Sequence, residues 1–173
     1  NSSGVWNSSI VSARTNFTNV ISLEGINNWT LYCNDSGGHE NSSFISFFKD
    51  TIIPQISFEN ETSESGIYVS RNWIFINVTV NEINEANITF SLFNGSNGVT
   101  LVNRTTFTDL THLINFTNLG DGLYYYNVTI IDIANNRNST ETRNITLDTT
   151  SPNATLLTPL NNSFKNNITQ NLT

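Results

Sequence analysis

An antiparallel β-sandwich is the fold class this chain predicts, and three observations carry the prediction. Apolar and polar residues alternate with a period of two, and no stretch shows the roughly 3.6-residue period of an amphipathic helix. Short runs rich in Val, Ile, Phe, Tyr and Thr recur at close spacing over about 100 residues, set apart by Gly, Asn, Asp and Ser. Aromatic residues make up 11% of a chain that is only 37% hydrophobic, so the core must be thin and built around rings. A barrel is the weaker alternative.

In chain order, strands are expected near 54–59, 66–70, 73–80, 86–93, 98–104, 112–117, 123–132 and 142–148, each bounded by turn-forming residues. The clearest share one unit: Asn77-Val78-Thr79-Val80, Asn87-Ile88-Thr89-Phe90, Asn127-Val128-Thr129-Ile130 and Asn144-Ile145-Thr146-Leu147. On a strand, period two sets Asn and Thr on one face and the aliphatic residue on the other. The aliphatic members are expected between the sheets and the polar members in solvent.

Asn followed two places later by Ser or Thr is also the acceptor of N-linked glycan. It occurs nineteen times, at Asn1, Asn7, Asn16, Asn28, Asn34, Asn41, Asn60, Asn77, Asn87, Asn94, Asn103, Asn115, Asn127, Asn138, Asn144, Asn153, Asn161, Asn167 and Asn171. With 30 Asn and 42 Ser plus Thr in 173 residues, random order would give only about 7. The excess lies in the order of the residues. β-propensity alone accounts for Thr but not for Asn, which strands disfavour. Glycosylation at many of these positions is therefore expected, and with it an extracellular, cell-surface location.

The chain repeats. Asp50-Thr51-Ile52-Ile53-Pro54 returns as Asp148-Thr149-Thr150-Ser151-Pro152, ninety-eight residues later. Gly25 to Asp35 aligns with Gly122 to Asp132, and Phe17-Thr18-Asn19 with Phe116-Thr117-Asn118. Residues 54–151 then form one whole repeat, 1–53 the later part of a preceding one, and 152–173 the first strand or strands of a further one.

Gly122, Tyr124, Tyr126, Val128, Ile130, Asp132 and Asn135, followed by Asp148-Thr149-Thr150-Ser151-Pro152, resemble the end of bacterial and archaeal immunoglobulin-like surface repeats. The heavily glycosylated archaeal versions match best. The resemblance implies tandem immunoglobulin-like antiparallel β-sandwiches, one complete and two partial, in a filament or pilus, stalk, surface layer or adhesin. It also implies an inward place for Cys33, aligned with Ile130. Related repeats often pair such a cysteine with one in the second strand. As the single cysteine here, Cys33 is read as a small buried apolar group, or else as half of a disulfide to a neighbouring molecule or to sequence outside this piece.

Charge narrows the partners. The net charge is −7 with only two lysines, Lys49 and Lys165, which disfavours nucleic-acid phosphate and anionic membranes. No apolar run approaches the roughly 18 residues of a membrane span, and targeting segments would lie outside this piece. His39 and His112 lack metal-ligand spacing and are expected in solvent. No residue is assigned a catalytic or metal-ligand role. Asp35, Asp50, Asp132 and Asp148 fall at domain ends, where turn formation outweighs calcium binding. No cofactor beyond covalent glycan is expected. Trp29, aligned with Tyr126, is expected in the core; Trp6 and Trp73 remain open as sugar-stacking platforms, and Tyr124 as a tyrosine corner.

The expected function is a non-enzymatic structural component of a glycosylated surface filament, stalk or surface layer; an adhesin or carbohydrate-binding module is the alternative. Its expected partners are further repeats of a longer chain or further copies in a homopolymer, with a host or polysaccharide ligand under the adhesin reading. Two routes to assembly stay open: a window in a longer array, or a subunit whose C-terminal segment completes a neighbour's open sandwich by strand addition.

Overall fold

A computed structural model describes residues 10–95, 98, 100–157, 163, 164 and 166. Its strands are β1 (Gly25–Asn34), β2 (Glu40–Lys49), β3 (Gln55–Phe58), β4 (Ile67–Val69), β5 (Ile74–Asn81), β6 (Glu85–Asn94), β7 (Thr100–Phe107), β8 (Leu113–Phe116), β9 (Gly122–Asp132), β10 (Arg137–Ser139) and β11 (Arg143–Leu147). The pair β1-β2 forms a sheet of its own. The rest form two sheets, β3-β5-β8 and β4-β11-β9-β6-β7, with β10 also on β9.

Period two builds the core. On β5, Ile74, Ile76 and Val78 point inward; on β6, Ile88, Phe90 and Leu92; on β9, Tyr124, Tyr126 and Val128; on β11, Ile145 and Leu147. Each is at most 7% exposed. Burying a side chain of this size stabilises by about 1.5–3 kcal/mol, so these alternating rows supply the main driving force. Rings thicken it: Phe90 meets Phe107 edge-on at 5.9 Å and Tyr126 meets Phe58 at 5.8 Å.

Three features depart from the sequence reading. The strand expected at 98–104 lies at Thr100–Phe107, where Phe107 can reach Phe90. A three-residue strand, β10, was not anticipated; it is too short to carry a pattern. The sandwich is also not purely antiparallel: β4 runs parallel to β11, with Ile67 opposite Ile145 and Val69 opposite Leu147. The chain leaves the three-stranded sheet after β3 and crosses to the other sheet's edge, a change of layer that leaves no periodic trace.

The hairpin β1-β2 repeats the β9-β11 pair in register. Gly25 faces Lys49, Asn27 faces Phe47 and Trp29 faces Ile45. In the same order Gly122 faces Leu147, Tyr124 faces Ile145 and Tyr126 faces Arg143. The turns match too: Asp35 N–H donates to the His39 carbonyl and Asp132 N–H to the Asn136 carbonyl, both at 3.1 Å. Each turn has a left-handed residue in the same place, Gly38 at φ 82° and Asn135 at φ 69°. Upstream, Asn19 (φ 59°) corresponds to Asn118 (φ 58°).

What differs is burial. Trp29, expected in the core, keeps 36% of its surface exposed and packs edge-on against Phe47 at 4.8 Å. Cys33, read as buried, is exposed. Both corrections have one cause: among the described residues no second sheet lies over β1-β2.

Candidate functional site

The acceptor asparagines sit where strand phase puts them. Val78, Ile88, Val128 and Ile145 are buried, whereas Asn77, Asn87, Asn127 and Asn144 beside them are half-buried on the opposite face. Of the described acceptors, Asn16, Asn34, Asn41, Asn60, Asn103, Asn115 and Asn153 are exposed. Asn28, Asn94 and Asn138 join the half-buried set, and no described acceptor is buried. Asn1, Asn7, Asn161, Asn167 and Asn171 lie outside the described residues, as do Trp6 and Lys165. Two acceptors are already engaged: Asn138 Nδ2 donates to the Pro54 carbonyl at 2.8 Å and Asn127 Nδ2 to Thr142 Oγ1 at 3.1 Å.

A second cluster marks each strand-to-linker exit. Asp121, just before β9, accepts from Thr149 N–H at 2.8 Å, Thr149 Oγ1 at 2.7 Å and Thr150 Oγ1 at 2.6 Å. Glu24, just before β1, accepts from Thr51 N–H at 2.9 Å and Thr51 Oγ1 at 2.5 Å. The threonine hydroxyls hold both carboxyls below their ordinary values, Thr150 first for Asp121 and Thr51 for Glu24. Asp50 and Asp148 cap the linker itself, accepting from Ile52 N–H and Thr150 N–H. This is the same latch built twice.

Beside the first latch, Asp50, Glu82 and Asp132 bring carboxylate oxygens within 4.8 Å of one another. The trio could hold a divalent cation. Each member also serves as an acceptor inside the chain: Asp50 from Asn84 Nδ2, Glu82 from Asn84 N–H, and Asp132 from both N–H and Nδ2 of Asn136. Of the four aspartates noted in the sequence, the fold unites only Asp50 and Asp132. Glu82 had no spacing signal, since loop neighbours in space need not be neighbours in sequence.

Trp73 lies elsewhere, immediately before β5. The Arg71 guanidinium stacks over its ring at 3.8 Å and donates through Nη2 to Ser63 Oγ at 2.7 Å. Arg71, Trp73 and Phe75 line a hollow of about 450 Å³ together with Asn60, Glu61 and Asn115. The i, i+2 spacing of Arg71 and Trp73 was the available clue to their contact, and sequence reading passed it over. Of the histidines, His39 is exposed and bonded to Asp35, but His112 is not in open solvent: it meets Glu85 at 2.8 Å with only 31% of its side chain exposed.

Tyr124 makes the expected corner, its hydroxyl donating to the Gly120 carbonyl at 3.0 Å. At the corresponding place Asn27 Nδ2 donates to the Leu23 carbonyl at 2.7 Å, the same four-residue reach made by an amide. Tyr126 donates to the Ser63 carbonyl, and burial pushes its phenol up to about 12.

Sheet order β3-β5-β8 against β11-β9-β6-β7 defines the class: an all-β, immunoglobulin-like sandwich. No protein-family model matches the chain. No curated protein matches it either. Among solved structures it is similar to fibronectin(III)-like modules of Clostridium thermocellum CbhA, at 13% identity over 57% of this chain and 100% of that one, with TM-score 0.42. An engineered protein matches at 14% identity over 55% of this chain and 20% of its own, with TM-score 0.40. Dimeric latent PorU from Porphyromonas gingivalis matches at 14% identity over 73% of this chain and 12% of its own, with TM-score 0.37. Among the described residues no helix is long and apolar enough to cross a membrane.

Proposed function

We propose that this chain is a non-enzymatic structural segment of an extracellular surface filament, stalk or surface layer, assembled from tandem immunoglobulin-like repeats and coated with N-linked glycan. The observation that carries the reading is the coincidence of two patterns. The Asn-x-Thr unit that fills the core with its middle residue turns its acceptor away from that core, as at Asn144-Ile145-Thr146. Dense glycan on those faces substitutes for charge, which is only 12% of the chain, and shields strand edges from unwanted pairing.

In this proposal residues 1–53 belong to one repeat, 54–151 to the next and 152–173 to a third. The latch built on Glu24 and on Asp121 supports it, because linker chemistry that recurs at both exits is what an array requires. The apolar face of β1-β2 is then covered by the earlier strands of its own repeat within a longer chain. The competing source of cover is a segment donated by a neighbouring copy. A density map of the native assembly tests both: continuous chain entering the first repeat supports the array, and a strand contributed by another molecule replaces it with strand donation. Glycopeptide mass mapping of the native protein tests the coat. Several of the nineteen acceptors should carry glycan, and acceptor peptides recovered only at their bare masses would remove it.

A further inference from the structure

We propose that the hollow beside Trp73 seats the protein's own glycan: the first sugar on Asn115 packs against Phe75 and Trp73. The idea rests on the coat reading above and assigns one acceptor a defined docking place. On the three-stranded sheet Asn115 of β8 lies directly opposite Phe75 of β5. Directly opposed residues stand roughly 4.5–5.5 Å apart at Cβ, within the span of one sugar ring attached to the amide. Trp73, just before β5, lines the same hollow as Phe75 and Asn115.

The surface has the chemistry of a sugar seat. Aromatic faces carry partial negative charge and attract the polarised C–H groups of a pyranose's carbon-rich face. Trp73 keeps 36% of its surface exposed, while stacking by Arg71, itself tied to Ser63, holds the indole in place. Glu61, Glu64 and Asn60 around the rim offer acceptors and an amide to hydroxyl groups. The volume, about 450 Å³, falls within the range of small-molecule sites.

Tethering decides the occupant. Sugar stacking on a shallow open surface is weak, but a ring attached at Asn115 meets the site at an effective concentration in the millimolar range or above. Asn60, also an acceptor, lines the same hollow, but it stands on the loop after β3 rather than across a sheet from a ring. Asn115 is therefore the better placed of the two.

The test uses the full chain secreted from an N-glycosylating host, with glycopeptide mapping at Asn115. Thr117→Ala removes that acceptor triplet; Trp73→Ala removes the larger ring; Phe75→Thr removes the smaller one and suits a strand should Trp73→Ala fail to fold. Glycan at Asn115 should raise the melting midpoint by about 3 °C over Thr117→Ala, and the increment should vanish in either ring-deleted background. Ring protons of that sugar should shift upfield in NMR, again only with the rings present. If Asn115 carries glycan but the increment survives ring deletion and no protons shift, the seat is wrong and the coat stands. If Asn115 carries no glycan, both fail at this position. Saturable binding of the free methyl glycoside to unglycosylated protein, at sub-millimolar concentration, would reassign the hollow to an external saccharide and overturn the proposal.

Discussion

The hairpin β1-β2 and the pair β9-β11 are the same local structure in two surroundings. Register, left-handed turn residue, corner contact and threonine latch recur in both, yet Tyr126 is fully buried in one and Trp29 is 36% exposed in the other. The lesson is a separation of roles. Backbone pairing and short-range hydrogen bonds specify the shape of the pair, while the opposing sheet supplies most of its stability.

Truncating the core should break the comparison most sharply. Phe90→Ala is expected to cost about 3–5 kcal/mol in urea unfolding, since it empties a buried ring position. Trp29→Ala should stay within about 1 kcal/mol, because the side chain is already partly in water. A cost for Trp29→Ala equal to that of Phe90→Ala would mean that something covers β1-β2 in solution. Hydrogen exchange reads the same contrast without mutation. Amides of β6 and β9 are expected to exchange about 1,000-fold more slowly than those of β1 and β2, reflecting global rather than local opening.

The corner contacts give a smaller effect. Tyr124→Phe should cost about 1 kcal/mol of global stability, as one hydrogen bond to the Gly120 carbonyl is lost. Asn27→Ala should leave the global midpoint alone and speed exchange of the Leu23 amide, which bonds Asn27 Oδ1 at 2.9 Å.

Titration separates the regions further. The Tyr126 phenol is raised in the fold, so its contribution is present below the ordinary value of 10.0 and is lost as pH rises toward about 12. The sandwich of β3 to β11 should therefore melt progressively lower above pH 10, with no matching step in the hairpin β1-β2. At the other extreme, the lowered carboxyls of Glu24 and Asp121 contribute above their ordinary values of 4.5 and 3.8 and lose that contribution as pH falls through the lower folded values. Lower protection of the Thr51 and Thr149 amides in acid, relative to their intrinsic exchange rates and at both exits together, is the expected outcome. Smallest of all should be chelation. Because Asp50, Glu82 and Asp132 already accept hydrogen bonds within the chain, EDTA is expected to leave the midpoint unchanged, and a drop of several degrees would reveal a bound cation.

Much of the fold was legible because period two is a local code. Val78, Ile88, Val128 and Ile145 fell on the buried face that their alternation with Asn and Thr predicts. The turn at Asp132 and the corner at Tyr124 were readable for a similar reason: both close within four residues. Contacts between distant parts of the chain left no such record. The approach of Glu82 to Asp50, the parallel seat of β4 and the pairing of His112 with Glu85 join residues tens of positions apart. Cys33 and Trp29 were misjudged for a different reason: their alignment with Ile130 and Tyr126 fixes a direction, but burial also requires a facing layer.

The parallel seat of β4 beside β11 sets how the sandwich of β3 to β11 answers tension. Force applied through residues before β3 and after β11 pulls these parallel neighbours in opposite senses along their own axes. The bonds between them, from Gly66 N–H to Asn144 and from Asp148 N–H to Val69 at 2.8 and 3.0 Å, are then sheared together instead of peeled one by one. A chain stretched from the two ends of this sandwich would meet its resistance at this short zipper, so rupture should be abrupt and set by a few hydrogen bonds at the sheet's edge.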